Sequence, residues 1–285
     1  MTPAAIEPDI NLYVAVHGRL PTIDDSPKPW EYRGWLLYYV QLGEHHPEVQ
    51  AKRWDYYERT IAAGALLDEP IPQIHFEANA AAARSVEKWI EHLNYKLGWS
   101  AFSAFVDWLG FGLATAREKP RLDAEMNEWL YRNVNVGTLL IHPADYLGEF
   151  LASTKVNKYN STGFYPTPHN VCEMMTRMII NDVEDSRRAK VCDPCVGSGR
   201  MLLHASNRSL CLYGMDVDPL VCAIARINGA MYAPWMAFPL SAEILGQAVP
   251  APAPAELPVP PEHRPPQGAA SFRVDDRGQG LLFND

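Results

Sequence analysis

The sequence predicts an α/β fold: a partial Rossmann-like core preceded by an α-helical domain. Three observations carry the prediction. Residues 28–155 place large apolar and aromatic side chains at helical spacing, residues 156–246 alternate short apolar runs with amphipathic segments, and from residue 247 prolines become too dense for helix or central strand. The chain therefore reads as an N-terminal extension (1–27), a helical domain (28–155), an α/β domain (156–246) and a Pro-rich disordered tail (247–285) with a short linear motif at its end.

In the helical domain, Trp54, Tyr57 and Ile61 recur on one face, as do Val86, Trp89, Leu93 and Leu97, and then Phe102, Phe105, Val106 and Leu109. Stripes of this kind are core, and no ligand is assigned to them. Pro47 at a first helical position and Gly64 past a last one frame one helix. In the α/β domain "AKVCDP" (189–194) reads as a strand ending in an acidic turn, and "GRMLLHAS" as the helix after it. "SLCLYGMDVDP" is a second strand and "PLVCAIARINGAMYA" a second helix. A βαβα order implies parallel strands joined by a right-handed crossover.

Bulk properties narrow the function. A net charge of −9 argues against a surface that coats polyanions, because nonspecific nucleic-acid affinity comes from Lys and Arg neutralising phosphates. A local basic face remains open, with Lys155, Lys158, Arg187, Arg188 and Lys190 its candidates, the alternative being a solvated face. No long apolar run or charged-then-apolar leader is present, so the expectation is a cytoplasmic protein that meets no membrane. Five cysteines without regular spacing fit free thiols in a reducing compartment.

The stretch "VCDPCVGSGRMLLHAS" (191–206) allows two chemistries: a metal or redox site built on Cys192 and Cys195, or a cradle for a nucleotide-like cofactor. A strand, Asp-Pro-x-x-Gly-Ser-Gly and a helix put glycines where backbone turns tightly and lies close to a ligand. Asp216, at the end of the next strand, is placed to accept both ribose hydroxyls of an adenosine. No second Cys-x-x-Cys or His pair stands at zinc-finger spacing, so no metal is assigned. A glycine turn that binds nothing is the remaining alternative.

At these residues the chain resembles the N6-adenine DNA methyltransferases, most closely the modification subunits of type I restriction-modification systems of bacteria, phages and plasmids. Their S-adenosylmethionine loop reads Asp-Pro-Ala-Cys-Gly-Ser-Gly. Asp193, Pro194, Gly197, Ser198 and Gly199 match it, while Cys195 and Val196 replace the Ala-Cys pair. "GFYPTPHNV" (163–171) resembles the family's upstream Phe-x-Thr-Pro segment, which contacts the methionine end of the cofactor. Thr167 and Pro168 are its matching residues, and Tyr165 beside them is a further candidate. "LYGMDVDPLVCAIARINGAMY" resembles the second strand and helix, with Asp216 as the ribose-binding acid, and "HPADYLGEFLASTK" (142–155) the helix ahead of the Thr-Pro segment. The resemblance spans residues 140–235 and implies S-adenosylmethionine as cofactor.

The family grips its flipped adenine with a strand followed by Asn or Asp, Pro, Pro and an aromatic residue. The Pro-Pro pairs here, Pro260-Pro261 and Pro265-Pro266, lie in the tail without an apolar strand before them, so no catalytic residue is assigned. About three strands are expected where the family has about seven, which leaves a strand edge that a protein partner would cover. Gln279, Leu282 and Phe283 resemble the pentapeptide by which bacterial proteins dock on the sliding clamp. Two functional readings follow: a DNA adenine methyltransferase, or a non-catalytic relative that acts through partners.

Overall fold

The computed structural model describes residues 28–153, 164–180, 185–247, 271–274 and 280–283. The chain divides into two compact units, one ending at Gly246 and the other running from Gln247 to Asp285.

The first unit begins with helices α1 (Trp35–Gly43), α2 (Arg53–Ala63), α3 (Ala80–Leu97) and α4 (Ala101–Gly112). Then come α5 (Ala124–Asn133), α6 (Val136–Ile141) and α7 (Tyr146–Ser153). Helix α3 starts where the Asn79 side chain accepts from the amides of Ala81 and Ala82, and α5 where Asp123 accepts from Met126. The α2 helix begins at Arg53, six residues beyond the Pro47 that the sequence suggested, and the reason is Glu44. Its buried carboxylate accepts from the amides of Arg53 (3.0 Å) and Trp54 (3.0 Å), doing for the first turn what a local cap residue would do. At the other end Gly64, at φ +65°, closes α2 as expected. Trp54 and Tyr57 are core, whereas Ile61 is exposed.

Helix α4 is apolar except for a narrow exposed stripe at Ser103 and Asp107, and with Phe102, Phe105, Trp108, Leu109 and Phe111 all buried it lies mostly inside the molecule. It packs on α3 and on α10 (Pro219–Tyr232), a helix of the α/β region. The sequence suggests a boundary at 155/156, but one hydrophobic cluster runs from Trp30 to Leu245 across it. Arg53 fastens the two regions. Only 1% exposed, it donates to Pro72 O (2.8 Å), Ser206 Oγ (2.7 Å), Tyr232 O (3.0 Å) and Asn207 Oδ1, with its guanidinium 5.2 Å from the Trp235 ring. Two of those partners lie just past α9 (Arg200–Ala205) and one is the last residue of α10, so the arginine supplies donors at helix C-terminal ends.

The α/β region continues with α8 (His169–Ile180), β1 (Lys190–Asp193), α9, β2 (Cys211–Gly214), α10 and the single turn α11 (Pro234–Ala237). Strands β1 and β2 pair in parallel, Lys190 opposite Cys211 and Asp193 opposite Gly214. This is the predicted strand–helix–strand–helix order, with two strands rather than about three among the described residues of this region, because residues 238–241 form no strand and 242–246 form turns.

In the second unit β3 (Ser271–Val274) and β4 (Gly280–Phe283) pair antiparallel, Ser271 opposite Phe283. The sequence suggested a Pro-rich disordered tail ending in a short linear motif. The pair lies beyond Pro266, where proline no longer removes ladder donors. Leu282 and Phe283 of the clamp-like motif fall on β4, while Gln279 lies outside the described residues. So do Lys155 and Lys158.

Candidate functional site

Two carboxylates converge on the turn after β1. The ladder runs past the strands, with Met215 N donating to Asp193 O (3.0 Å) and Val196 N to Met215 O (2.9 Å). Asp193 then bends the chain by accepting from Cys195 N (3.1 Å), an Asx turn. Asp216 reaches across from the end of β2 and accepts from Gly197 N (2.9 Å) on one oxygen and from Asp218 N (3.1 Å) on the other. A carboxylate offers about four lone-pair sites, so two remain for a ligand hydroxyl pair.

Both glycines of the turn are required by geometry. Gly197 sits at φ +51°, and a Cβ there would meet the Phe164 ring at 2.9 Å. Gly199 sits at φ +83°, and its Cβ would meet Met236 Cε at 2.5 Å and Ala225 of α10 at 3.0 Å. The Phe164 ring thus walls one side of the bend. The other side is open, with Pro194 and Cys195 exposed, Met215 exposed and Val217 86% exposed beside Asp216.

Behind the turn lies a buried polar network that the sequence did not suggest. Asp145, fully buried, accepts from Ser198 Oγ, Arg200 Nε (3.3 Å) and Arg200 Nη2 (3.0 Å) on one oxygen. Its other oxygen accepts from Gly148 N (2.9 Å) and Asn228 Nδ2 (2.8 Å). Asn228 also donates to Ser198 O (3.0 Å), and Arg200 Nη1 to Thr167 O (3.0 Å). One carboxylate with five donors is a tolerable buried charge because every lone pair has work to do.

Ser198 has a structural duty: its hydroxyl faces inward to Asp145 and fixes the turn. Thr167 and Pro168 keep exposed side chains, and Pro168 O receives the amides of Val171 and Cys172 at 3.0 Å each, which starts α8. Tyr165 is 87% exposed. Next to Pro168, His169 Nδ1 meets His204 Nε2 of α9 at 2.9 Å, with Phe76 stacked on His169. Burial, with the Arg200 charge assisting, pushes both imidazoles down to about 4, so the pair is neutral at pH 7.

The structure therefore brings Asp193, Pro194, Gly197, Gly199 and Asp216 together at the strand ends and ties Thr167 to them through Arg200. Of the basic candidates, Arg187 and Arg188 pair with Asp185 and donate to Leu67 O and Leu245 O, which makes them structural posts. Lys190 is exposed. Cys192 and Cys195 are exposed free thiols. Phe164, Asp145, Arg200 and Asn228 are the additions. Phe164, Asp145 and Asn228 lie in segments that resemble the family but were not singled out there, and Arg200 carries a local signal as a cation at the first turn of a helix whose dipole disfavours it.

Among the described residues no helix is long and apolar enough to cross a membrane. Comparison with curated proteins and with solved structures returns no match. The family model described as N-6 DNA methylase matches residues 145–233, from the buried Asp145 to the end of α10. That stretch holds both strands, the glycine turn and the network behind it, and over it the chain is similar to the N-6 DNA methylase family.

Proposed function

We propose that the cleft at the carboxyl ends of β1 and β2 binds S-adenosylmethionine and that the chain serves adenine-N6 methylation of DNA, supplying the methyl-donor side of the reaction. The single observation that carries this is the convergence of Asp193 and Asp216 on one turn built from positive-φ glycines. Asp216 takes the ribose hydroxyls with its two unused lone-pair sites. Gly197 and Gly199 let backbone lie against the ligand, and the exposed Met215 and Val217 offer an apolar seat for a base. Asp193, Pro194, Thr167, Pro168 and Tyr165 line the end where the amino-acid part lies. Bound there, the cofactor supplies an electrophilic methyl group.

The two strands read as the first βαβ unit of a Rossmann-like sheet. Parallel sheets are normally covered on both faces, yet Cys192 and Tyr213 are exposed on one face here. This favours a second reading in which a partner polypeptide completes the sheet and carries the adenine-gripping residues, the chain alone binding cofactor without turnover. The clamp-like Gln279, Leu282 and Phe283 are a further partner proposal, tested by pull-down with the clamp before and after truncation at Gly268.

The test is incubation of the purified chain with methyl-labelled S-adenosylmethionine and mixed-sequence DNA. Label in adenine supports an autonomous enzyme. Retained cofactor without label in adenine supports the partner-dependent reading. Neither retention nor label contradicts both.

A further inference from the structure

We infer that Arg200, held by the buried Asp145, is a positioning residue that sets the Thr167–Pro168 segment against the glycine turn and thereby aligns the amino-acid end of the cofactor with its adenosine end. The inference rests on the cofactor reading above and goes beyond it by assigning a task to a pair that touches no ligand.

The guanidinium is 95% buried and its donors are divided between two duties. Nε and Nη2 face Asp145 Oδ2 at 3.3 and 3.0 Å, while Nη1 donates to Thr167 O at 3.0 Å. A planar fork satisfies both at once, and the compact ammonium of a lysine cannot. Glu149, half exposed, adds a second carboxylate at 2.8 Å from Nη2. Asp145 in turn holds the turn through Ser198 Oγ and, by way of Asn228, through Ser198 O. The segment carrying Thr167 and the turn carrying Gly197 therefore meet on one buried ion pair, although 30 residues separate them.

Helix stability does not explain the arginine. It is the first residue of a six-residue helix, where a cation opposes the helix dipole. Net stability is weak grounds for it too, since a buried ion pair is often replaceable as a whole by apolar residues of similar volume without loss of stability. What an apolar pair could not do is grip a backbone carbonyl. Thr167 O is that carbonyl, and its neighbour Pro168 opens α8.

The test uses two ligands that share the adenosine end, S-adenosylmethionine and 5′-methylthioadenosine, the second lacking the amino-acid part. Dissociation constants are measured for the wild-type chain, Arg200→Lys and Asp145→Asn, each first shown to unfold cooperatively in urea. The expected result is about a tenfold loss for S-adenosylmethionine in both variants, with methylthioadenosine within twofold of wild type. Parallel weakening of both ligands would show a merely structural role, and unchanged S-adenosylmethionine binding would show none. Should neither buried variant fold, Glu149→Gln alters only a half-exposed contact to the same guanidinium and gives a selective loss of about threefold, its absence overturning the inference. A wild-type chain that binds neither ligand would instead fail the cofactor reading.

Discussion

At Gly197 and Gly199 two independent demands coincide, a positive φ and a neighbour too close for a Cβ. Gly199→Ala meets the α10 backbone and should destabilise by roughly 2 kcal/mol or more, and Gly197→Ala by less because the Phe164 ring can shift, as read from urea unfolding. The His169–His204 pair gives a pH signature. Both imidazoles are held near 4, below their unfolded value, so their contribution is present above about pH 6.5 and lost as pH falls toward 4. Glu44, which burial pushes up to about 7, works oppositely, its protonated form favouring the folded state as pH falls. Two histidines outweigh one carboxyl, so stability should drop between pH 7 and 5, and His204→Gln should flatten that slope. An unchanged slope would remove the pair from the account. The glycines and acids were legible because turn chemistry is local in sequence. Asp145 and Asn228 were not, since a polar residue in a helical stretch looks the same whether it meets water or a buried partner.

Helix α2 shows how an element's start can be set from outside it. Pro47 and Gly64 both fit helix-end preferences, and Gly64 does end the helix, yet the first turn forms at Arg53 where a distant carboxylate meets its amides. Glu44→Ala removes those contacts and should cost about 1–3 kcal/mol, whereas Glu58→Ala on the exposed face of α2 should stay within about 0.5 kcal/mol. Both are checked by urea denaturation, and equal effects would refute the capping role. Strands β1 and β2 and helices α9 and α10 followed from alternation and length and lie where the sequence suggested, whereas α8 and α11 were not foreseen. The exposed apolar face of α8, with Met178 73% and Ile179 67% exposed, was not anticipated from the sequence.

Across the whole molecule the helical and α/β regions share one core, joined by Arg53, by Trp54 Nε1 on Ala230 O (2.8 Å) and by Tyr57 Oη on Phe238 O (2.8 Å). Texture along the sequence separates the two regions, but contacts between them pair residues more than 170 positions apart, which no local pattern reveals. A fragment of residues 156–246 should therefore fail to unfold cooperatively, while a chain ending at Gly246 should keep the full-length melting temperature within about 2 °C. The central claim is that two neighbouring strand ends form one adenosine-binding cleft. Calorimetric titration with S-adenosylmethionine tests it most directly: saturable binding by the wild-type chain should weaken by about 1–3 kcal/mol in Asp216→Ala as the ribose hydrogen bonds are lost. Equal affinity for both proteins, or heat of binding from neither, would contradict it.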